Sequence, residues 1–598
     1  IRLGEITWTS GELASSVPPV TEFPARTMAA EFAAAAARHA DEVAVVSDDA
    51  RLTYRELDAL SDAIAAWVHA AVPDRLVGVA MAPSIRFVAT VLALFKSGKV
   101  YVPLDPSSPP ARLAAMTAQC GATTALADRC DTLSIPGIRL LELPAEPEES
   151  APAPTAPDVD DQAYLLFTSG TTGVPKGVPV THRAATRFYD GLRRETGIGR
   201  ARWLLFHSIS FDVSLVEIFA ALFAGGTVCV PAPEVKRDPR RLAEFVRRHR
   251  IEAVLLTPSA FAMLADRFTG IDSIRHLLIG GERLEYPLLT EFVTARGDVA
   301  VWNCYGITET TMYHTAFPVP PDPGRFPAES VIGRPFADMG MAVVDDRLRV
   351  LPRGVRGQLV VSGAGLMAGY LNRDELTAEK FVTIEGVRSY LTGDRGHLDA
   401  EGRFVISGRI DNQVKIRGHR CELGDIEAAL YRTGLVANTH VALDGSGLTA
   451  ELVCFVVPVG AATMPQLRER LREYLPRYLE PDIFVPLETL PLNTNGKVDD
   501  DELFRRYRAD ADTATAAGAG ESAGTGVDDV VTQVWTEVLG TSDFEGTTRF
   551  FDAGGTSAMV LQVGERLRTR LGLAELDVVD LFEHCTPDTL SGFLADKV

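Results

Sequence analysis

Cysteine is scarce in this chain and nowhere paired: the seven among 598 residues, at 120, 130, 229, 304, 421, 454 and 585, include no Cys-x-x-Cys. That excludes a disulfide framework and a zinc ribbon, and the thiols read as buried groups in a reducing compartment. Basic charge is also short. Lys and Arg total 59 against 80 Asp and Glu, a net charge of −21, which argues against attraction to nucleic acid or an anionic membrane. No apolar run reaches the roughly 18 residues of a membrane span, and residues 1–20 lack the basic start and apolar centre of a signal peptide. The expectation is a cytoplasmic protein with small-molecule or protein partners. Several enzyme motifs are missing too. Gly555, Thr556 and Ser557 are followed by Ala558 and Met559, so there is no nucleophile elbow. Gly363, Gly365 and Gly369 miss the dinucleotide spacing, and five positions on from Gly170 stands Pro175, so the Walker template fails. A hydrolase and a dehydrogenase are both disfavoured.

What is present is an ordinary globular composition, 46% apolar and 23% charged, long enough for several domains. Its most informative stretch is LFTSGTTGVPKGV, residues 166–178. An apolar strand (Tyr164 to Phe167) delivers a loop in which Gly170, Gly173 and Gly177 let the backbone approach a ligand. The hydroxyls of Thr168, Ser169, Thr171 and Thr172 and the ammonium of Lys176 supply donors, a combination suited to polyphosphate.

Taken in order, residues 1–22 read as a linker or loose arm. Short apolar strands such as VAVV and LVGVAM then alternate with helical segments such as YRELDALSDAIAAWVHA, which predicts βαβ units and a sheet covered on both faces. Polar residues collect where strands end, the edge at which open α/β sheets bind ligands. From Gly357 the composition favours an antiparallel portion or a second lobe. A further change at Asp411 opens a small α+β unit, residues 509–527 form an Ala/Gly/Thr/Ser tether, and 528–598 show helical periodicity with thirteen acids against five bases, a net −8. The expected division is therefore 1–22, 23–410, 411–508, 509–527 and 528–598.

Three residues outside the loop are candidates for chemistry, although read alone Glu309 also fits a helix-capping acid and Asp394 an ordinary turn residue. Glu309, among the hydroxyls of NCYGITETT, suits Mg²⁺, which takes one or two protein carboxylates beside phosphate oxygens. Asp394 in YLTGDRG suits the two hydroxyls of a ribose. Lys497 in NTNGKVD reads alone as a solvated surface lysine.

With FDVS, LTYREL, LFKSGKVYVPLDP, GQLVVSGAGLMAGYLNRDELTAEKF, GRIDNQVKIRGHRCELGDIE and LPLNTNGKVD present beside these motifs, the chain resembles the adenylation domain of non-ribosomal peptide synthetases, within the acyl-adenylate-forming superfamily. FFDAGGTSAMVLQV is similar to the peptidyl carrier domain. The resemblance implies an α/β fold with a large N-terminal lobe and a small mobile α+β lobe, followed by an all-α four-helix carrier. It also implies ATP, Mg²⁺ and 4'-phosphopantetheine as cofactors. An amino acid would become an aminoacyl-adenylate and then pass to the carrier thiol.

By the same resemblance Thr168, Ser169, Gly170, Thr171, Thr172, Gly173 and Lys176 would hold the phosphates, Glu309 the Mg²⁺, and Asp394 with Arg409 the ribose. Gly281, Glu282, Asn303, Tyr305, Gly306 and Thr308 would surround the nucleotide. Thr172, Glu309, Asp394 and Lys497 would be catalytic, Asp411 the hinge, and Ser557 the attachment point of the phosphopantetheine. Asp212 would meet the substrate ammonium. Val213, Val216, Leu255, Leu278, Gly280, Cys304, Met312 and Tyr313 would line a side-chain pocket that is apolar or small apart from the Tyr hydroxyl, implying a small to medium, neutral, apolar substrate such as Ala, Val, Ile or Pro. Partners would be neighbouring synthetase modules or tailoring enzymes, a phosphopantetheinyl transferase, and an MbtH-like activator. Ile307, His419 and Cys421 depart from the usual residues without touching a catalytic group. The alternatives are an acyl- or aryl-acid ligase, against which Asp212 argues, and a degenerate scaffold, against which Lys176, Glu309, Asp394 and Lys497 argue.

Overall fold

The computed structural model describes residues 15–16, 26–128, 134–145, 156–168, 175–410, 413–416, 419–444, 451–460, 462–476, 479–491, 498–500, 502–508, 526–539, 544–548, 550, 553, 557–573, 576, 580–581, 584–595 and 597. The chain divides into two compact units, 1–425 and 426–598.

Two α/β sheets dominate the first unit. One has six strands in the order Arg139–Glu142, Thr124–Ala127, Leu76–Val79, Val100–Pro103, Gln162–Thr168 and Lys176–Thr181, all neighbours parallel except the last pair. The other has eight, with a parallel centre that includes Ala253–Leu256, His276–Gly280 and Ala300–Tyr305 and an antiparallel strand at each edge. Ala253–Leu256 is buried at every position, as expected of a strand covered on both faces. Covering helices start where the sequence supplies caps. Tyr54–Ala71 begins at Thr53 with a capping box closed by Glu56, and Ile85–Lys96 begins at Ser84. The Tyr54 hydroxyl donates to the carbonyls of Leu222 and Gly226, tying one helix to the end of another at 3.0 and 2.8 Å.

The antiparallel portion expected from Gly357 is a seven-stranded sheet, in which Gly357–Gly363, Val387–Leu398 and Phe404–Arg409 are successive neighbours. The arm read into residues 1–22 contributes an edge to it: Ser15–Ser16 pairs antiparallel with Met341 and Ala342. A hairpin of Gln413–Ile416 and His419–Glu422 completes the first unit.

The second unit contains the sheet of Val436–Asp444, Glu451–Pro458 and Ile483–Pro486. It also contains the helices Val527–Leu539, Ser557–Leu571 and Pro587–Ala595, which enclose Trp535, Val563, Leu567, Leu590 and Leu594. Among the described residues no helix is long and apolar enough to cross a membrane.

Candidate active site

Thr168, Gly280 and Tyr305 close the carboxyl ends of their strands, and the site is built on that edge. Thr168 and Lys176, which flank the loop motif, pair across antiparallel strands. Ser169, Gly170, Thr171, Thr172 and Gly173 lie outside the described residues, as do Asp411 and Lys497. The hydroxyl of Thr168 is buried without a hydrogen-bond partner among the described residues. Lys176, 5% exposed, donates from Nζ to Oε1 of Glu422 at 2.6 Å, and the carboxylate is equally enclosed. This partner, 246 positions away in sequence, was not among the expected site residues.

The carboxylates are buried and held from several elements. Glu309, fully buried in the turn Thr308–Thr310, accepts a 2.7 Å bond from the Tyr370 hydroxyl, which lies 2.8 Å from that of Tyr390. Asp394 is 2% exposed and faces Arg409 across the sheet. Its Oδ1 accepts from Arg409 Nη1 at 2.6 Å and its Oδ2 from the Tyr305 hydroxyl at 2.7 Å, so a residue expected to surround the nucleotide also holds the residue assigned to the ribose. Asn303 donates to the Val331 carbonyl at 2.8 Å, and Glu282 accepts from the Ser259 backbone and hydroxyl. Gly281 takes φ 86°, a left-handed turn at the strand end that suits glycine.

Asp212 is the first residue of the helix Asp212–Phe223, where the helix dipole favours a carboxylate. Burial pushes its pKa up, and the negative charge of Glu309 adds to this, while the Thr308 hydroxyl and the backbone of Val213 pull it down. Behind it Glu217, fully buried on the same helix, accepts from His207 Nδ1 at 2.7 Å and from the backbone of Phe206 and His207.

The residues assigned to the side-chain pocket do meet. Parallel registers set Leu255 beside Leu278 and Gly280 beside Cys304. Val216, Leu255, Leu278, Cys304, Met312 and Tyr313 belong to one buried cluster, and Val213 packs against it. A Cβ on Gly280 would come within 2.9 Å of the Tyr313 hydroxyl and 2.8 Å of the Cys304 carbonyl, so glycine is required there. On the second unit, Ser557 opens the helix Ser557–Leu571.

Residues 32–371 match the AMP-binding enzyme family, and residues 529–594 match the phosphopantetheine attachment site. The chain belongs to the AMP-binding enzymes. Syringomycin synthase SyrB1 of Pseudomonas syringae pv. syringae is 35% identical over 89% of this chain and 90% of its own length. Malpibaldin synthetase of Mortierella alpina is 35% identical over 91% of this chain, which spans 10% of that relative. Among solved structures, holo-PA1221, described as an NRPS protein containing adenylation and PCP domains bound to a vinylsulfonamide inhibitor, superposes with a TM-score of 0.79. It is 27% identical and covers 96% of this chain and 97% of its own. This AMP-binding enzyme is thus a non-ribosomal peptide synthetase adenylation domain followed by a carrier domain, which activates an acid and loads it onto the carrier.

The residues fit the groups this chemistry uses. Glu309 offers the one carboxylate Mg²⁺ needs beside phosphate oxygens, and the described residues hold no cluster of three or more metal ligands that would suit a caged ion. The hydroxyl of Thr168, without a partner among the described residues, would suit an acceptor such as a phosphate oxygen. The phosphodiester of 4'-phosphopantetheine at Ser557 would lie at a helix N-terminus, where backbone N–H groups and the dipole favour an anion.

Proposed function

We propose that the substrate is an α-amino acid with a small to medium uncharged side chain, activated with Mg·ATP to an aminoacyl-adenylate. In the first step a carboxylate oxygen of the amino acid bonds to the α-phosphorus and the bond to pyrophosphate breaks. In the second the thiol attacks the acyl carbon, AMP leaves, and a thioester forms. The thiol is the chemistry that 4'-phosphopantetheine on Ser557 supplies. Lys176, Thr168 and the loop hydroxyls offset the repulsion between two anions, Glu309 holds Mg²⁺, and Asp394 with Arg409 positions the ribose. Lys497, outside the described residues, stabilises charge in adenylation, and Asp411, also outside them, is the hinge residue.

The observation that carries the reading is Asp212. A carboxylate buried near a second one is unfavourable, and its raised pKa expresses that cost. An α-ammonium would relieve it, whereas an aryl or fatty acid would leave the cost standing. Pyrophosphate exchange over a panel of amino acids and aryl acids tests this. Exchange is expected with uncharged amino acids, and exchange with salicylate or benzoate alone would overturn the reading. The partners proposed for the loaded carrier are neighbouring modules or tailoring enzymes, with a phosphopantetheinyl transferase acting on Ser557 and an MbtH-like protein as activator.

A further inference from the structure

Two consecutive non-glycine residues, Thr311 at φ 66° and Met312 at φ 65°, adopt left-handed backbone just before Tyr313. For a β-branched threonine this is a costly conformation, kept only where surrounding structure demands it. The surroundings here do. The Thr311 hydroxyl donates to the Gly365 carbonyl at 2.7 Å, and Gly306 is pressed against the Met312 carbonyl so closely that no Cβ would fit. The bend delivers the Tyr313 ring over Gly280 and beside Cys304, among the residues assigned to the side-chain pocket.

Tyr313 is 3% exposed, and its hydroxyl has no hydrogen-bond partner among the described residues. A phenol buried over Gly280, in the apolar cluster that also holds Leu255 and Leu278, is costly if it stays unpaired. The other polar atoms nearby do not serve it. Cys304 is a weak donor, and Asp212 and Glu217 are engaged with Thr308 and His207. Burial, with Cys304, Asp212 and Glu217 close, keeps the phenol protonated, so it remains both donor and acceptor.

We infer that Tyr313 is a specificity-determining residue whose buried hydroxyl selects an amino acid with an uncharged hydrogen-bonding side chain, a hydroxyl or a carboxamide, over its apolar isostere. This rests on the proposed amino-acid activation and narrows its range, turning away from Val and Ile towards side chains of similar size with one polar end. A carboxylate side chain would face Asp212 and Glu217. An ammonium would lose its hydration with no anion left to meet it, since Asp212 is matched to the α-ammonium and Glu217 to His207. A site built around such a hydrogen bond rejects the analogue lacking it far more strongly than an apolar pocket rejects an added hydroxyl.

The test is pyrophosphate exchange with the full chain on isosteric pairs: threonine against valine for the hydroxyl, asparagine against leucine and glutamine against methionine for the carboxamide. At least one polar member should exceed its isostere in kcat/KM by about tenfold or more, and Tyr313→Phe should bring that ratio to about one or below. The wild-type ratios stand even if the variant folds poorly. Apolar members equal to or better than all their polar partners in the wild type would overturn the inference while leaving amino-acid activation intact. So would a ratio unchanged in Tyr313→Phe. Exchange with aryl acids and with no amino acid would overturn both.

Discussion

Lys176, Glu309 and Asp394 are each 5% exposed or less, and each has a protein partner within 2.7 Å, whereas the hydroxyl of Tyr313 is as deeply buried with none among the described residues. The difference follows from what each region must tolerate. A bare buried charge is far more costly than a bare buried hydroxyl. On the proposed function, the nucleotide side fills its charged positions from within the protein and would exchange those partners when a polyphosphate or ribose arrives. The proposed side-chain pocket can leave a neutral group waiting. One region would then serve exchange of partners and the other discrimination.

The strongest way to break this contrast is at Glu309. Glu309→Gln keeps an acceptor for the Tyr370 hydroxyl and removes the charge proposed to hold Mg²⁺. Pyrophosphate exchange should fall by about 10²–10³-fold, the scale seen when one electrostatic stabiliser of a transition state is removed. Thermal unfolding should show no loss of stability. A variant retaining near wild-type exchange at saturating Mg²⁺ would remove Glu309 from the metal's site.

Asp212→Asn should have the next largest effect. It removes a charge-assisted contact worth about 1.5–3 kcal/mol, so KM for the amino acid should rise by roughly ten- to a hundredfold with a smaller change in kcat. Stability should move the other way. The carboxyl's folded-state pKa is raised above 3.8, so its contribution is present at acid pH and is lost as pH rises through the raised value. Asparagine has no such loss. The free variant should unfold at a higher temperature than wild type near neutral pH, with the gap closing towards pH 4. An equal loss of stability at every pH would point to packing instead.

The sequence carries much of this, and where it fails the reason is distance along the chain. The strand before the phosphate loop and the antiparallel portion after Gly357 follow from local pattern and spacing, whereas the Gly280 and Cys304 positions are reached only through the family resemblance. Local pattern does not carry the pairing of Lys176 with Glu422, which spans 246 positions, or that of Tyr370 with Glu309, which spans 61. Those contacts exist only once separate sheets and hairpins meet. Glu422 stood in the quoted run CELGDIE, and its one available signal was an acid beside a buried cysteine in a stretch otherwise read as belonging to a second lobe. The compact units divide after Asp425, beyond Asp411, and the burial of Glu422 against Lys176 is a reason for the hairpin to fall in the first. The bend at Thr311 and Met312 was equally hidden, since neither residue type signals positive φ.

Glu422→Gln should give the smallest and most diagnostic change. If Lys176 serves polyphosphate, its 2.6 Å pairing with Glu422 competes with that ligand, because one ammonium cannot give its best geometry to both. Glutamine retains the carbonyl oxygen and the volume but loses the charge, so Lys176 is held less firmly and yields more readily to phosphate. KM for pyrophosphate in the exchange reaction should fall several-fold while KM for the amino acid stays the same, since the side-chain pocket lies on other strands. Removing one partner of a buried ion pair usually destabilises, because the other charge is left uncompensated. The variant should accordingly unfold at a lower temperature, and pyrophosphate should restore more stability to it than to wild type by supplying the missing anion. A merely structural pair would give the loss of stability without the shift in KM. That outcome would leave the exchange of partners on the nucleotide side without support at Lys176, and the contrast with Tyr313 would then hold only for the carboxylates.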